Sequence, residues 1–243
     1  MRFQLGRRHL LAVLYLSSTA VFAQDARPLV DRFERRYRSA RTLQATFLQR
    51  YSESGREVRS EAGTAYFGRP GKMRWEYHSP EANLYVIDGK WSWFYVPTDH
   101  TVTRIRARQS ADWRTPLALL AGEMNVSRIC ARVTVDTSAR SAITANMVLR
   151  CELRGSARAR RDRDASPVSE TDADRVLFEV NPRNGELARI LVTDAGGVQI
   201  EFQFTDWRFD PQLDSKLFRF EPPKGVAIVD GDLAASSLVP GAP

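Results

Sequence analysis

The hydrophobic pattern changes its period along the chain. After Pro28-Leu29, apolar Val30, Phe33, Tyr37 and Ala40 recur every three or four residues, with Asp31, Arg32, Arg35 and Arg38 opposite. That spacing predicts one amphipathic helix ending near Thr42. Residues 45–51 read as a first strand, and from Ala62 the period is two. Met73, Trp75 and Tyr77 alternate with Arg74 and Glu76, the signature of a half-buried strand. Leu84–Ile87 is apolar on both faces. Asp88-Gly89 then predicts a tight hairpin turn of the kind that requires positive φ at both central residues. Beyond it, Trp91, Trp93 and Tyr95 point one way while Ser92, Phe94 and Val96 point the other. A further strand is expected over Thr101–Arg106.

Thr115-Pro116 breaks the β pattern. A threonine N-cap with proline at the first helical position starts a short helix that carries Leu117 and Leu120 and stops at Gly122. Strands resume over residues 127–135 and Met147–Leu153. Residues 156–174, rich in Arg, Asp and Ser without periodicity, read as a solvated loop. The last third alternates most regularly. Val176, Phe178 and Val180 precede a hairpin at Asn184-Gly185, and Leu187–Thr193 returns. Gly196-Gly197 turns the chain, and Val198, Ile200, Phe202 and Phe204 alternate with Gln199, Glu201 and Gln203. Phe218-Arg219-Phe220 is expected as a final short strand, and residues 230–243 as a flexible tail. Consecutive hairpins predict a mostly β meander that curls or closes, with a two-layer sandwich as the competing arrangement.

The first residues change the picture by assigning a compartment. Arg2, Arg7 and Arg8 precede an apolar run at residues 10–16, and Val21 and Ala23 stand at −3 and −1 of a cleavage site before Gln24. Residues 1–23 are therefore expected to be a cleaved signal peptide leading to the periplasm, with residues 24–229 as one domain. The apolar run is too short for a membrane span, which needs about 20 residues. Removing that segment lowers the formal net charge from +7 to +4. A mild basic excess suits transient contact with an anionic membrane surface or an acidic protein; an exported protein meets little nucleic acid. Cys130 and Cys151 fit an oxidising compartment and predict a disulfide, with two buried free thiols as the alternative. Two cysteines do not make up a metal-ligand set, so no metal or other cofactor is expected.

Catalytic patterns are sparse. His78 and His100 read as surface histidines. There is no nucleophile elbow, no phosphate-cradling glycine loop and no His-Glu-x-x-His, so a binding protein is expected rather than an enzyme. The aromatic residues on strands are the distinctive feature. They suit either an ordinary sheet core or the wall of an apolar cavity for ligands that offer no hydrogen bonds.

Several segments, in order, resemble one family. Leu43-Gln44-Ala45-Thr46-Phe47-Leu48-Gln49 is similar to its first strand. The segment Gly63 to Trp75, containing Arg69-Pro70-Gly71-Lys72-Met73-Arg74-Trp75, is similar to its Arg-Pro-x-x-(Phe/Met)-x-Trp signature. Asp88-Gly89-Lys90 with Trp93-Phe94-Tyr95-Val96-Pro97, Thr115 to Gly122, and Leu217 to Val226 resemble its next hairpin, inserted helix and C-terminal strand and turn. The family is the LolA-type periplasmic lipoprotein carriers. The resemblance implies an incomplete antiparallel β-barrel, a half-barrel, with a helical lid over an apolar cavity. It implies a monomeric carrier that takes the acyl chains of lipoproteins released by an inner-membrane ABC transporter and delivers them to an outer-membrane acceptor. Arg69 matches the arginine that latches the lid. The expected cavity wall is Phe47, Met73, Trp75, Tyr77, Trp91, Trp93, Tyr95, Leu117 and Leu120. A lipid-binding envelope sensor of the same fold, without onward transfer, is the alternative.

Overall fold

The computed structural model describes residues 25–107, 119–122, 124–154, 175–193 and 196–231. The expected signal peptide, the first half of the Thr115–Gly122 helix (residues 115–118), the 156–174 loop and most of the C-terminal tail lie outside them. Helix α1 spans Arg27–Arg38 and has Pro28 in its first turn. Its buried stripe is Leu29, Phe33 and Tyr37, while Arg35, Arg36 and Arg38 complement the negative C-terminal end of the helix dipole. The helix ends before Thr42 because the chain is already extended there.

Twelve strands follow among the described residues: β1 (Thr42–Glu53), β2 (Arg56–Gly68), β3 (Lys72–Ser79), β4 (Leu84–Ile87), β5 (Trp91–Val96), β6 (Thr101–Arg106), β7 (Cys130–Val135), β8 (Met147–Leu153), β9 (Arg175–Val180), β10 (Leu187–Thr193), β11 (Gln199–Phe209) and β12 (Ala227–Asp230). They form one sheet in the order β12-β6-β5-β4-β3-β2-β1-β11-β10-β9-β8-β7. Two meanders, β1 to β6 and β7 to β11, are therefore joined along a β1–β11 seam in which Phe47 faces Phe204. β12 and β7 end the order without pairing to each other, so the sheet is an open, incomplete barrel rather than a sandwich.

Local chemistry explains several of these elements. Ser54 and Gly55, with φ of 50° and 75°, turn β1 into β2; two successive positive φ values match the twist of a two-residue hairpin. Gly63 sits where a Cβ would lie 1.9 Å from the Glu76 carbonyl oxygen and 2.9 Å from the Phe47 ring. Only hydrogen fits there, and the ring of Phe47 lies over the gap.

Four expectations need correction. The Asp88-Gly89 turn has Gly89 and Lys90 at its centre, because Ile87 pairs with Ser92; Asp88 instead accepts bonds from the Lys90 and Trp91 N–H groups. The Asn184-Gly185 connection is longer than a tight hairpin, since Leu187 pairs with Val180. Gly185 is needed there because α1 packs on it: a Cβ would meet the Arg32 carbonyl oxygen at 2.6 Å. The expected 127–135 strand begins as a short helix, α2 (Val126–Ile129), and only then becomes β7. Finally, Phe218 ends a 3-10 turn (Ser215–Phe218) and the last strand is β12, which runs parallel to β6.

Cys130 and Cys151 form a disulfide that ties β7 to β8, which decides between the two thiol states left open by sequence. On the outer face Glu179, 1% exposed, accepts from the Ala142 and Ile143 N–H groups, the Ser141 hydroxyl and Arg189. That carboxylate holds the β7–β8 connection against the sheet.

Candidate functional site

Paired residues share a face of a sheet, so the ladders identify the inner wall. Phe47 on β1 faces Phe204 on β11; Trp75 faces Tyr85, and Met73 faces Ile87. These side chains belong to one continuous buried cluster with Phe67, Tyr77, Phe202 and Leu120. Trp75 is its centre. Its ring lies 4.5 Å from that of Phe47, 5.5 Å from Phe202 and 6.1 Å from Phe204, mostly in edge contacts. Edge-to-face packing of this kind adds about 0.5–1.5 kcal/mol per pair beyond area burial.

Helices cover this wall. Phe33 of α1 approaches Phe178 on β9 at 5.8 Å, and Tyr37 approaches Trp207 on β11 at 5.1 Å. The Tyr37 hydroxyl accepts from the Leu187 N–H at 2.9 Å, and burial pushes its phenol far above the ordinary tyrosine range. Residues 119–121 are helical and place Leu120, 1% exposed, in the same cluster.

Arg69 joins these two covers. Its Nη1 donates to the Arg38 carbonyl oxygen at the end of α1, at 3.0 Å. Its Nε and Nη2 both donate to the Leu120 carbonyl oxygen at 3.4 Å. Beside it the Gly71 N–H donates to the Ala121 carbonyl oxygen at 2.8 Å. A planar guanidinium can serve two separate acceptors at once. The β2–β3 turn thus holds both helical pieces through main-chain acceptors.

Of the expected wall residues, the structure brings together Phe47, Met73, Trp75, Tyr77 and Leu120. Leu117 lies outside the described residues. Trp91, Trp93 and Tyr95 do not belong to the wall. Trp93 pairs with Val86 and Tyr95 with Leu84, on the face opposite Tyr85 and Trp75. They form a second cluster with Val102, Phe220 and Val226 on the outer face. There the Trp93 Nε1 donates to Asp88 at 2.9 Å, and Arg104 stacks over Trp91 at 4.6 Å. Their inward neighbours are Ser92 and Phe94. The signal was available: a two-residue turn pairs odd-numbered with even-numbered residues, so odd Tyr85 must share its face with even Phe94. Sequence reasoning also left Phe67, Phe202, Phe204 and Trp207 out of the wall, although the strict alternation of β11 marks Phe202 and Phe204 as one face.

A separate open cleft of about 630 Å³ lies between α1 and the α2–β7 corner, lined by Val30, Glu34, Val126, Cys130 and Arg132 among others. None of the wall aromatics borders it.

Comparison with known proteins agrees with this geometry. Residues 38–148 match the family model described as outer membrane lipoprotein carrier protein LolA, and residues 187–230 match a family described as "Predicted periplasmic protein (DUF2092)". The outer-membrane lipoprotein carrier protein of Methylococcus capsulatus is 33% identical over 193 residues, covering 79% of this chain and 83% of that protein. The protein of the same name from Chromobacterium violaceum is 32% identical over 194 residues, with the same coverage. The crystal structure of an uncharacterized conserved protein from Thermus thermophilus shares the fold, with a TM-score of 0.51 at 15% identity over 86% of this chain and 100% of that one. With a third of the aligned residues identical to a carrier over most of both chains, and the family's segments placed on one helix-covered half-barrel, this chain belongs to the LolA outer-membrane lipoprotein carrier family.

Proposed function

We infer that this protein is a periplasmic carrier that binds lipoproteins through their acyl chains and delivers them toward the outer membrane. The observation that carries this reading is a continuous aromatic face covered by helices that one arginine pins through main-chain oxygens. Burying a 16-carbon chain is worth roughly 0.8 kcal/mol per CH₂, or about 12 kcal/mol before costs. Several chains bound that tightly would never leave. A carrier needs something that opposes loading, and the covered wall supplies it. For acyl chains to reach Trp75, Phe47 and Phe202, the helical covers must move and the Arg69 bonds to Arg38 and Leu120 must break. The cargo therefore binds with its gross affinity minus that closure energy.

In this reading Arg69 is the latch and Phe47, Met73, Trp75, Tyr77 and Leu120 are wall. An inner-membrane ABC transporter is the donor and an outer-membrane protein the acceptor. The chain reaches the periplasm through the export signal at residues 1–23 and works without catalytic chemistry. The sensor alternative is not favoured, because the relatives named above are carriers.

Native mass spectrometry of protein isolated from envelope extract tests the reading. Adducts with the mass of diacylated lipoprotein are expected. A protein that emerges bare and takes up no diacylated peptide in vitro overturns it.

A further inference from the structure

The inner wall is not apolar throughout. Past Phe47 and Trp75, away from the Arg69 turn, it becomes polar while staying buried. Gln49 is 2% exposed and Glu61, its partner across the β1–β2 ladder, is 3% exposed. Tyr77, 4% exposed, donates its hydroxyl to the Gln49 Oε1 at 3.1 Å. Arg59 pairs with Glu61 at 2.8 Å, and burial still pushes that carboxyl above its usual range against the arginine's pull.

Asn83 completes the group. Glu76 pairs with Leu84, so the next position sets Asn83 opposite Tyr77, and the Tyr77 N–H donates to the Asn83 carbonyl oxygen at 3.0 Å. Opposed residues share a face, and Tyr85, two residues on, lies in the inner cluster. The Asn83 side chain is therefore directed to the inner wall. It is 3% exposed, and among the described residues neither its Oδ1 nor its Nδ2 has a hydrogen-bond partner. Leaving a buried amide unpaired is unfavourable by far more than an apolar side chain of similar size would be. An unpaired donor and acceptor, side by side at the end of a greasy wall, match a ligand group that offers both.

We propose that Asn83, with Gln49, Glu61 and Tyr77 around it, is a polar subsite that takes the amide linkage of an acyl chain while the hydrocarbon lies along Trp75 and Phe47. A secondary amide supplies a carbonyl for Nδ2 and an N–H for Oδ1. An ester supplies only the carbonyl, and a hydrocarbon neither. The subsite thus ranks cargo by the chemistry that joins its chains to the head group, and it rests on the carrier reading above. Ser92, whose buried hydroxyl is also unpaired among the described residues, lies opposite Ile87, at the Met73 end of the wall.

The test uses the full mature chain and its Asn83→Leu variant. Three probes of matched length, N-methylhexadecanamide, methyl hexadecanoate and octadecane, compete with a fluorescent acyl reporter. In the variant the preference for the amide over the hydrocarbon should fall about thirtyfold, the equivalent of two net hydrogen bonds, with the ester affected less. The variant's melting temperature should hold or rise, because an unpaired buried amide has gone. Both proteins binding all three probes with an unaltered amide-to-hydrocarbon ratio overturns the subsite and leaves the carrier reading standing. Failure of the unsubstituted protein to bind any acyl probe overturns both.

Discussion

Replacing Arg69 with leucine should turn a carrier into a trap. The guanidinium makes one well-formed bond, 3.0 Å to the Arg38 oxygen, and shares two longer contacts of 3.4 Å with the Leu120 oxygen. A bond from a charged donor contributes about 1.5–3 kcal/mol, and long shared contacts contribute less. Arg69 is partly exposed, which weakens each further. Together they favour the covered state by about 2 kcal/mol. If the open, loaded state makes none of these bonds, their loss strengthens cargo binding roughly thirtyfold and slows release by the same factor. The assay has two arms: the dissociation constant for a fluorescent diacylated peptide, and the fraction of preloaded cargo passed to acceptor-bearing membranes over time. Tighter binding with stalled transfer is expected. Arg69→Lys should fall between the two, since one ammonium lacks the planar fork that serves both oxygens. Affinity within twofold of the original together with normal transfer, in a variant that folds, would refute the latch.

Four other outcomes follow from the geometry. Trp75→Ala should abolish most acyl loading, whereas Trp93→Ala should lower stability by about 3 kcal/mol yet leave loading intact, because the two rings sit on opposite faces; peptide binding and urea melts on both variants separate these effects. Gly63→Ala should destabilise by more than about 3 kcal/mol, since its Cβ meets a carbonyl oxygen at 1.9 Å, and a collapse of the thermal transition would register it. Reduction of Cys130–Cys151, which encloses a 21-residue separation, should remove about 3 kcal/mol on the loop-entropy account, read from urea midpoints with and without reductant. The buried Glu179 carboxyl would rise through desolvation alone, but its N–H and hydroxyl donors outweigh that and hold it below its ordinary value of 4.5. Its stabilising contribution should be complete above that value and fade as pH falls through the lower folded value; Glu179→Gln should flatten the acid limb of a stability-versus-pH curve.

Much of the fold was legible because its signals are local. The α1 stripe and the alternation of β3, β9 and β11 announce themselves within a dozen residues, and glycines mark where the chain turns, though not the register at Gly89 or the loop length at Gly185. Met73, Trp75 and Tyr77 were readable as one face from alternation along β3, and Phe47 on β1 joins them through the family resemblance. Trp91, Trp93 and Tyr95 depart from the expected wall because turn parity, not aromatic density, sets which β5 side chains point inward. β12 left no trace: all four of its residues are exposed, and it is held by main-chain bonds along β6 and one ion pair, Arg104 with Asp230. The acceptors of Arg69 are carbonyl oxygens, which every residue carries, so only the fold reveals them. Asn83 was invisible for the opposite reason. Its significance lies in what it does not touch.

The β1–β11 seam has a consequence for the birth of the molecule. Phe47 meets Phe204, and Tyr37 meets the Leu187 N–H across 150 residues of chain. A polypeptide threaded N-terminus first into the periplasm therefore delivers α1 and β1 long before their partners arrive. Pairings this remote form slowly, and unmatched strand edges invite aggregation while they wait. The first half-meander must stand with its central edge bare until the last quarter of the chain emerges. Maturation is thus timed by the end of translocation, and a stalled or truncated chain is left as an adhesive ribbon rather than a smaller version of the protein.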